Sequence, residues 1–266
     1  MSSVRNPTDI YKLLDKSNCR DCGEATCLAF AAAVFTGKRR LNECPRLSNE
    51  IIERFAGDVK TRTPVDQELD QLVAQVKKEI SAVDLPSTAQ RLGATFFDDK
   101  LTMKVLGKDF TVDKEGNLSS EIHVHPWVTI PILTYIISGA GIPVSGTWVP
   151  FRELRSGKTW HRLFEQRCEK PLKRVADAYT DLFEDMIRIF NGRQVETHDA
   201  SDISLVLHPL PKVPVLICYW KPEGRLESDL HIFFDSTAED NLNIEGIYAL
   251  GTGLVRMFEK IALRHG

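Results

Sequence analysis

The sequence lacks the features that mark secreted, membrane-embedded and nucleic-acid-binding proteins. Its 266 residues contain no apolar run of about 18 residues, so no transmembrane helix is predicted. The N-terminal stretch MSSVRNPTDIYKLLDK has no apolar signal-peptide core. A net charge of −3 provides no basic excess for binding nucleic acid or an anionic membrane. We therefore expect a cytoplasmic protein that neither spans a membrane nor binds nucleic acid.

Common catalytic signatures are missing as well. The strings GxxxxGK[ST], GxSxG and HExxH do not occur, and Gly139-Ala140-Gly141 is too short for a dinucleotide fingerprint. These absences lower the expectation of a nucleotide-driven or hydrolytic enzyme. They leave open whether the chain is an enzyme at all.

Cysteine is the most informative residue type that is present. Four of the six cysteines fall between Asn18 and Pro45, and they are Cys19, Cys22, Cys27 and Cys44. Four thiolates in one segment, without a secretory signal, indicate a metal or an iron–sulfur cluster rather than two disulfides. Structural zinc usually takes two close ligand pairs, whereas here the spacing is CxxCxxxxC and then a distant cysteine before proline. We predict that these four residues bind a [4Fe-4S] cluster, with zinc as the alternative.

Local features around the cysteines agree with that interpretation. An alanine-rich helix is predicted from Ala25 to Thr36, with Cys27 in its first turn, where the helix dipole and free N–H groups stabilise a thiolate. Gly23 is free to take a positive φ, which would turn backbone N–H groups toward sulfur. The basic run Lys38-Arg39-Arg40 either favours the reduced state and an anionic partner or is a solvated helix end.

Hydrophobic periodicity predicts an α+β fold for the chain. Helical spacing is found from Leu69 to Val83, from Leu172 to Phe190 and from Ile247 to Ile261, and Pro126 opens another helix-like run. Short β-rich runs predict antiparallel strands at ATFFDD, LTMKVLG, DFTVD, ISLVLH, VPVLICYW and DLHIFFD.

The order of these elements predicts two domains. A small helical module occupies residues 1–60, and a larger α+β domain with a mainly antiparallel sheet occupies residues 66–266. Thr8 or Asp9 is expected to cap the first helix, and Ser48 is expected to cap the last helix of the module.

The string NCRDCGEATCLAFAAAVFTGKRRLNECPRL closely resembles the small [4Fe-4S] module of the large subunit of the corrinoid iron-sulfur protein. A similar module occurs in the B subunit of the Rnf electron-transport complex. The resemblance places the four family ligands on the four clustered cysteines, and the motif glycine and proline on Gly23 and Pro45. It implies a low-potential cluster that relays single electrons, in the corrinoid protein to cobalt.

The remainder of the chain departs from both relatives. It contains neither the membrane-anchoring helix of the Rnf subunit nor a segment that looks like the corrinoid protein's barrel domain. From about residue 66 it resembles an uncharacterised domain that commonly follows this module in anaerobic bacteria and archaea. SGTWVPFREL and LPKVPVLICYW carry this second resemblance, which implies no function.

Other residues offer weaker candidate sites. His123 and His125 would share one face of a strand with Trp127, either as metal or cobalt ligands or as ordinary surface residues. Trp148 and Arg152 lie in an irregular region with aromatic and basic neighbours. They are candidates for binding an anionic cofactor, or are core aromatics beside solvated charges; the neighbours are Arg155, Trp160 and His161.

The two remaining cysteines are not predicted to be ligands. Cys218 lies in an apolar strand and should behave as a buried small hydrophobe. Cys168 lies between Arg167 and the Glu169-Lys170 pair, where positive neighbours could lower its thiol pKa.

Together these observations predict an electron-transfer protein of an anaerobe. One low-potential [4Fe-4S] cluster would exchange electrons with a redox protein partner, the first candidate being a corrinoid protein by analogy. Two alternatives stay open: the larger domain binds a ligand or is a reductase with the cluster as internal donor, or the protein is a redox sensor.

Overall fold

The computed structural model describes residues 6–35, 39–55, 64–121, 126–179, 181–196 and 198–265. Backbone contacts divide the chain into two units, Met1–Gln71 and Leu72–Gly266, with the division inside helix α4 (Pro64–Ile80). The module limits expected from the sequence, 1–60 and 66–266, stay a prediction, because residues 56–63 lie outside the described ranges.

The smaller unit is built from short helices around a small core. Its helices are α1 (Pro7–Tyr11), α2 (Cys27–Phe35) and α3 (Asn49–Phe55), with a 3-10 turn at Leu41–Glu43. Its buried apolar side chains include Ile10, Leu14, Phe30, Val34, Leu41 and Leu47. The module predicted from the sequence is thus helical, as expected.

Two helix N-caps were predicted in this unit, and the structure confirms one of them. The side chain of Ser48 accepts the N–H of Ile51 at 3.4 Å and caps α3 as predicted. The predicted cap of α1 was wrong, since Asn6 holds that position and accepts the N–H of Asp9 at 3.0 Å. Pro7 follows Asn6 and supplies a helical φ at the first position, which moves the helix start upstream of Thr8.

The larger unit contains most of the regular structure. Its helices after α4 are α5 (Leu85–Leu92), α6 (Pro126–Ser138), α7 (Gly157–Phe164), α8 (Lys170–Ala178), α9 (Leu182–Phe190), α10 (Ala238–Asn241) and α11 (Ile244–His265). Its strands are β1 (Thr95–Phe97), β2 (Lys100–Val105), β3 (Lys108–Val112), β4 (Leu118–Ser120), β5 (Trp148–Pro150), β6 (Arg193–Gln194), β7 (Ile203–Leu210), β8 (Val213–Trp220) and β9 (Asp229–Asp235).

These strands form two antiparallel sheets, which confirms the α+β class. The first has the order β1-β2-β3-β4, with pairs such as Thr102 opposite Thr111. The second has the order β5-β9-β8-β7-β6, with pairs such as Val215 opposite Phe234. The turn between β1 and β2 lies at Asp98-Asp99, and both residues have φ above +50°, which tight hairpins of the I′ type require.

The second sheet buries side chains on both faces. Val215 and Ile217 belong to the main core of the unit, while Leu216 and Cys218 lie on the opposite face in a smaller cluster. This follows from the alternation of side chains along a strand. The apolar run VPVLICYW therefore reads as continuous, because both of its faces are covered.

One predicted helix is two helices. The stripe from Leu172 to Phe190 is interrupted at Tyr179, where φ is −122° and ψ is 96°. The hydroxyl of Tyr179 donates to Asp185 at 2.6 Å, which anchors the break against the following helix. The helical period of apolar residues continues across the break, because both helices pack apolar faces against the same core.

Among the residues described above, no helix combines the length and apolar character needed to cross a bilayer.

Candidate metal centre

The four clustered cysteines lie around the core of the smaller unit as free thiols. Cys19 and Cys22 are half-buried in the loop before α2, Cys27 is the first residue of α2, and Cys44 follows the 3-10 turn. Cys27 and Cys44 are each 7% exposed, and Cys22 packs against the same apolar cluster. The fold thus brings thiols from three separate elements to one small core.

Asn18 connects the cysteine loop to the start of α2. Its side-chain oxygen accepts the backbone N–H of Cys27 at 2.8 Å, and its own N–H donates to the Cys27 sulfur at 3.3 Å. A positive φ of 52° turns this N–H inward. Asparagine tolerates that conformation better than most residues, and the bond to sulfur stabilises a thiolate.

Gly23 has the positive φ that was expected, +81°, and its N–H donates to the carbonyl of Arg20 at 2.9 Å, which closes the turn. The backbone N–H groups of Asn18 and Arg46 bond to the sulfurs of Cys27 and Cys44, respectively. Sequence reasoning overlooked Asn18, although an asparagine directly before the first cysteine is a signal for a left-handed backbone.

The Cys44 thiol is in an environment that opposes ionisation. Burial raises its pKa most, the backbone N–H of Arg46 lowers it, and Cys22, Asp15 and Cys19 raise it further. A metal that binds here must therefore displace the thiol proton, which couples binding to deprotonation.

Two arginines hold the cysteine loop by ion pairs. Arg39 lies 3.3 Å from Glu24 and 3.0 Å from Glu43, and its guanidinium is 3.1 Å from where a Cβ on Gly23 would lie. The predicted basic run is therefore partly neutralised at Arg39, and Lys38 lies outside the described residues.

Arg46, which the sequence did not single out, makes the second set of ion pairs. It reaches Asp15 at 3.6 Å and Asp21 at 3.3 Å. Asp15 precedes the first cysteine and Asp21 lies between Cys19 and Cys22, so Arg46 ties the segment after Cys44 back to the loop.

The donor set consists of thiols alone, which are the usual ligands of iron–sulfur clusters. Within the described ranges, no three or more histidine, cysteine, aspartate or glutamate side chains are arranged to hold a single metal ion. The residues present fit a cluster in their chemistry.

The two other predicted site residues that the structure describes do not line the same groove. Trp148 lies in β5 and packs on an apolar cluster that includes Trp220 and Phe233. Arg152 is exposed and lines a groove to which those two rings also contribute. His123 and His125 lie outside the described residues, so their predicted role stays a prediction.

The residues that follow Arg152 in sequence also lie in different surroundings. Trp160 packs against Tyr248 in the main core with ring centres 5.4 Å apart, and Arg155 donates to Asp240 at 3.0 Å. His161 alone of these three lines the groove with Arg152.

The remaining cysteines are both buried. Cys218 is fully buried and lies 3.8 Å from the Ser204 hydroxyl, in agreement with its predicted structural role. Burial raises the pKa of Cys168 to about 12, so the expectation that basic neighbours lower it was wrong. Its sulfur contacts Thr252 in the core, and the charge of the adjacent Glu169 raises the pKa further.

Comparison with known proteins gives two family matches. Residues 14–46 match a family model described as "Putative Fe-S cluster", and residues 84–257 match the domain of unknown function DUF3786. No solved structure matches the chain.

Several curated relatives are similar over part of the chain. The corrinoid/iron-sulfur protein large subunit of Moorella thermoacetica is 51% identical over 57 residues, which are 21% of this chain and 12% of that protein. The acetyl-CoA decarbonylase/synthase complex subunit gamma of Methanosarcina acetivorans is 33% identical over 78 residues, 29% of this chain and 15% of that one. Its counterpart in Methanothermobacter thermautotrophicus is 38% identical over 73 residues, 27% and 13%.

These matches cover less than a fifth of each of the three relatives, so they describe a shared module rather than a shared protein. The second family model, in contrast, covers well over half of the 266 residues. The chain therefore belongs to the family defined by the domain of unknown function DUF3786, and a segment that matches an iron–sulfur family model precedes that domain.

Proposed function

We propose that the chain is an electron-transfer protein in which Cys19, Cys22, Cys27 and Cys44 hold one low-potential [4Fe-4S] cluster. The observation that carries this proposal is the convergence of free thiols from three elements on one small core, inside residues 14–46. When bound, the cluster supplies a one-electron couple.

The residues of the chain perform the remaining tasks. Asn18 donates to the Cys27 sulfur and holds the start of α2, while Arg39 and Arg46 brace the loop. The apolar side chains around Cys27 and Cys44 keep water from two of the ligands, and burial of this kind influences cluster potentials.

Zinc is the competing occupant of the same cysteines. In a zinc site four sulfurs lie about 2.3 Å from one ion, whereas a cluster distributes its ligands over several iron atoms. The match of residues 14–46 to an iron–sulfur family model favours the cluster over zinc.

The partner that we propose is a redox protein, with a corrinoid protein as the first candidate. Relatives of the N-terminal segment are named as a corrinoid/iron-sulfur subunit and as subunits of an acetyl-CoA decarbonylase/synthase complex. The transfer of that partner to this chain is an analogy at the level of the module.

An EPR-monitored redox titration of protein purified without oxygen tests this function, with cobalamin present and absent. We expect an S = 1/2 signal on reduction at low potential, accompanied by reduction of cobalamin. Zinc in elemental analysis with no reducible signal would overturn the electron-transfer function. A cluster signal without any effect on cobalamin would retain the cluster and reject the corrinoid partner.

A second function is favoured by a groove in the larger unit. It is lined by charged side chains, among them Arg152 and His161, and has a volume of ≈ 1080 Å³. In this alternative the larger unit binds a small molecule or acts as a reductase that takes electrons from the cluster. Copurification of a small molecule with the full-length protein would favour it.

A further inference from the structure

The groove in the larger unit lies beside α7 and α8 and the ends of β8 and β9. Its volume of ≈ 1080 Å³ is large enough for a small metabolite or cofactor. Cations on its helical side are Arg152, His161, Lys170, Lys173 and Arg174. Acids on the strands and loops are Asp199, Glu227 and Asp229, and the helical side adds Glu169 and Glu165, which pairs with Lys170 at 2.8 Å.

A buried carboxylate lies at the bottom of this groove. Glu169 is only 7% exposed, and its oxygen accepts the backbone N–H of Ile232 at 3.0 Å. The same oxygen lies 3.5 Å from Nδ1 of His231. Because an ionised carboxylate is costly to bury, these two partners are needed to keep it there.

The local fold that places Glu169 is unusual. Residues Glu165–Glu169 form a π-helical segment that joins α7 directly to α8. Such π-bulges are frequent at functional sites. α11 supports the segment from behind: a Cβ on Gly251 would lie 2.8 Å from the Phe164 ring, and Cys168 contacts Thr252 at 3.6 Å. Only glycine permits this close approach, so the segment is held firmly in the core.

His231 lies between two carboxylates that differ in exposure. Its Nδ1 faces Glu169, whose side chain is 9% exposed, and its Nε2 is 3.4 Å from Asp229, whose side chain is 60% exposed. The hydrogen bond with Glu169 raises the pKa of His231 against the effect of burial; Asp229 raises it further and Arg152 lowers it. The environment thus favours the imidazolium form.

The two ion pairs of His231 should differ in strength. The pair with Asp229 is exposed, and exposed pairs contribute little to stability. A ligand anion can therefore replace Asp229 at Nε2 at small cost, while buried Glu169 keeps the ring in place.

Two guanidinium groups at the rim are available to the same ligand. In the described part of the chain Arg174 makes no ion pair, and Arg152 has only a 3.9 Å contact with the adjacent Glu153. Guanidinium groups bind carboxylates and phosphates in a bidentate manner. The ring of Trp220, whose centre is 5.7 Å from that of His231, offers an apolar surface beside the anion.

We propose that this groove binds a small anionic molecule through a carboxylate or phosphate group, which takes the place of Asp229 at His231 and is held by Arg152 and Arg174. Glu169 is the positioning residue for the imidazole ring. The proposal is independent of the cluster and of the electron-transfer function.

The test uses the full-length protein with inorganic phosphate and, separately, succinate, followed by calorimetry and by the NMR signals of His231. We expect saturable binding of at least one anion, with a further rise in the pKa of His231. The anion that binds more tightly identifies the ligand chemistry. If neither anion shows saturation at tens of millimolar, a range typical of weak nonspecific ion binding, the proposal is wrong.

Variants distinguish a binding site from a structural ion pair. Arg174→Gln should weaken binding by about tenfold, since a charge-assisted hydrogen bond is lost. Asp229→Asn should tighten binding several-fold, because a competing anion is removed; a purely structural role predicts no gain. Both side chains are exposed, so folding is not at risk.

Two further variants complete the design. Glu169→Gln should lower the pKa of His231 and weaken binding, whereas Lys104→Gln, in an exposed pair with Asp109 on the other sheet, should change neither. Unchanged affinity in both Arg174→Gln and Asp229→Asn would overturn the proposal.

Discussion

The two units of the chain are stabilised in different ways. In the smaller unit, cysteines make up part of the buried core, since Cys27 and Cys44 are packed with Ile10, Phe30 and Leu41. The larger unit has an extensive core of its own, and both of its cysteines are buried. A unit of about 70 residues rarely has enough apolar core to be stable alone, so we expect binding of the proposed cluster and folding of the smaller unit to be coupled.

Packed aromatic rings stabilise the core of the larger unit without any cysteine ligand. The rings of Phe151 and Phe164 are stacked with centres 4.1 Å apart, and both lie edge-on to Phe234. These residues come from a 3-10 turn, α7 and β9, so the cluster joins helices to the second sheet. Loss of the proposed cluster should therefore unfold the smaller unit and spare the larger one.

Removal of one proposed ligand should show most clearly that only the smaller unit depends on the cluster. Cys44→Ala should abolish cluster assembly and the ordered fold of the smaller unit, because a thiolate is lost from a core that depends on the metal. Iron and sulfide content, visible absorbance and hydrogen exchange measure this. Exchange in β8 and β9 should not change.

The matched control is Cys218→Ala, which removes a buried thiol from the larger unit. It should retain a full complement of iron. A stable, complete cluster in Cys44→Ala would show that the proposed ligand set is wrong.

The converse experiment targets the larger core. Phe164→Ala should destabilise the larger unit by about 3–5 kcal/mol, through lost apolar contact and a cavity. Urea unfolding followed by tryptophan fluorescence measures the change. The iron content under native conditions should remain normal.

Phe97→Ala serves as its control, because this ring is 85% exposed. It should change the free energy of unfolding by less than about 0.5 kcal/mol. Equal urea midpoints for the two variants would contradict the assignment of Phe164 to the core.

One pH effect is expected from a buried carboxylate of the larger unit, Asp235. Burial alone would raise the pKa of Asp235, yet hydrogen bonds from Thr237, Ser145 and Gly146 hold it below the usual value. A carboxylate with a lowered folded pKa stabilises the protein above its unfolded pKa, and the stabilisation is lost as pH falls through the folded pKa. Asp235→Asn should cost about 1–3 kcal/mol at pH 7.

Urea midpoints measured from pH 7 down to pH 3 check this prediction. The difference between the wild type and Asp235→Asn should shrink below the ordinary aspartate pKa of 3.8. A difference that stays constant over this range would mean that the ionised carboxylate does not stabilise the fold.

The smallest expected effect concerns the loop glycine. Gly23→Ala should cost about 1 kcal/mol, because alanine disfavours a φ of +81° and its Cβ would approach Arg39 at 3.1 Å. Faster release of iron to a chelator measures the change.

Gly224→Ala is the control for backbone conformation. It also has a positive φ, but it has open space around it and lies in the larger unit. Iron release should be unaffected there. Equal acceleration in both variants would mean that the cysteine loop is not what limits iron release.

Much of the fold was predictable from local patterns. The short β-rich runs LTMKVLG and VPVLICYW predicted strands, and the structure forms β2 and β8 there. The α7 helix and the break at Tyr179 were missed. Both depend on tertiary contacts, namely packing of Trp160 on Tyr248 and the bond from Tyr179 to Asp185.

The sequence by itself determined the candidate metal ligands and the α+β class. Cysteine spacing and hydrophobic period are local properties, and the chemistry of four neighbouring thiols does not depend on distant residues. Only the tertiary structure decided that Asn18 donates to the Cys27 sulfur, and that Glu169 meets His231 across 62 positions of sequence. Such pairs arise from a loop conformation and a π-helical segment held by packing, and no local propensity encodes them.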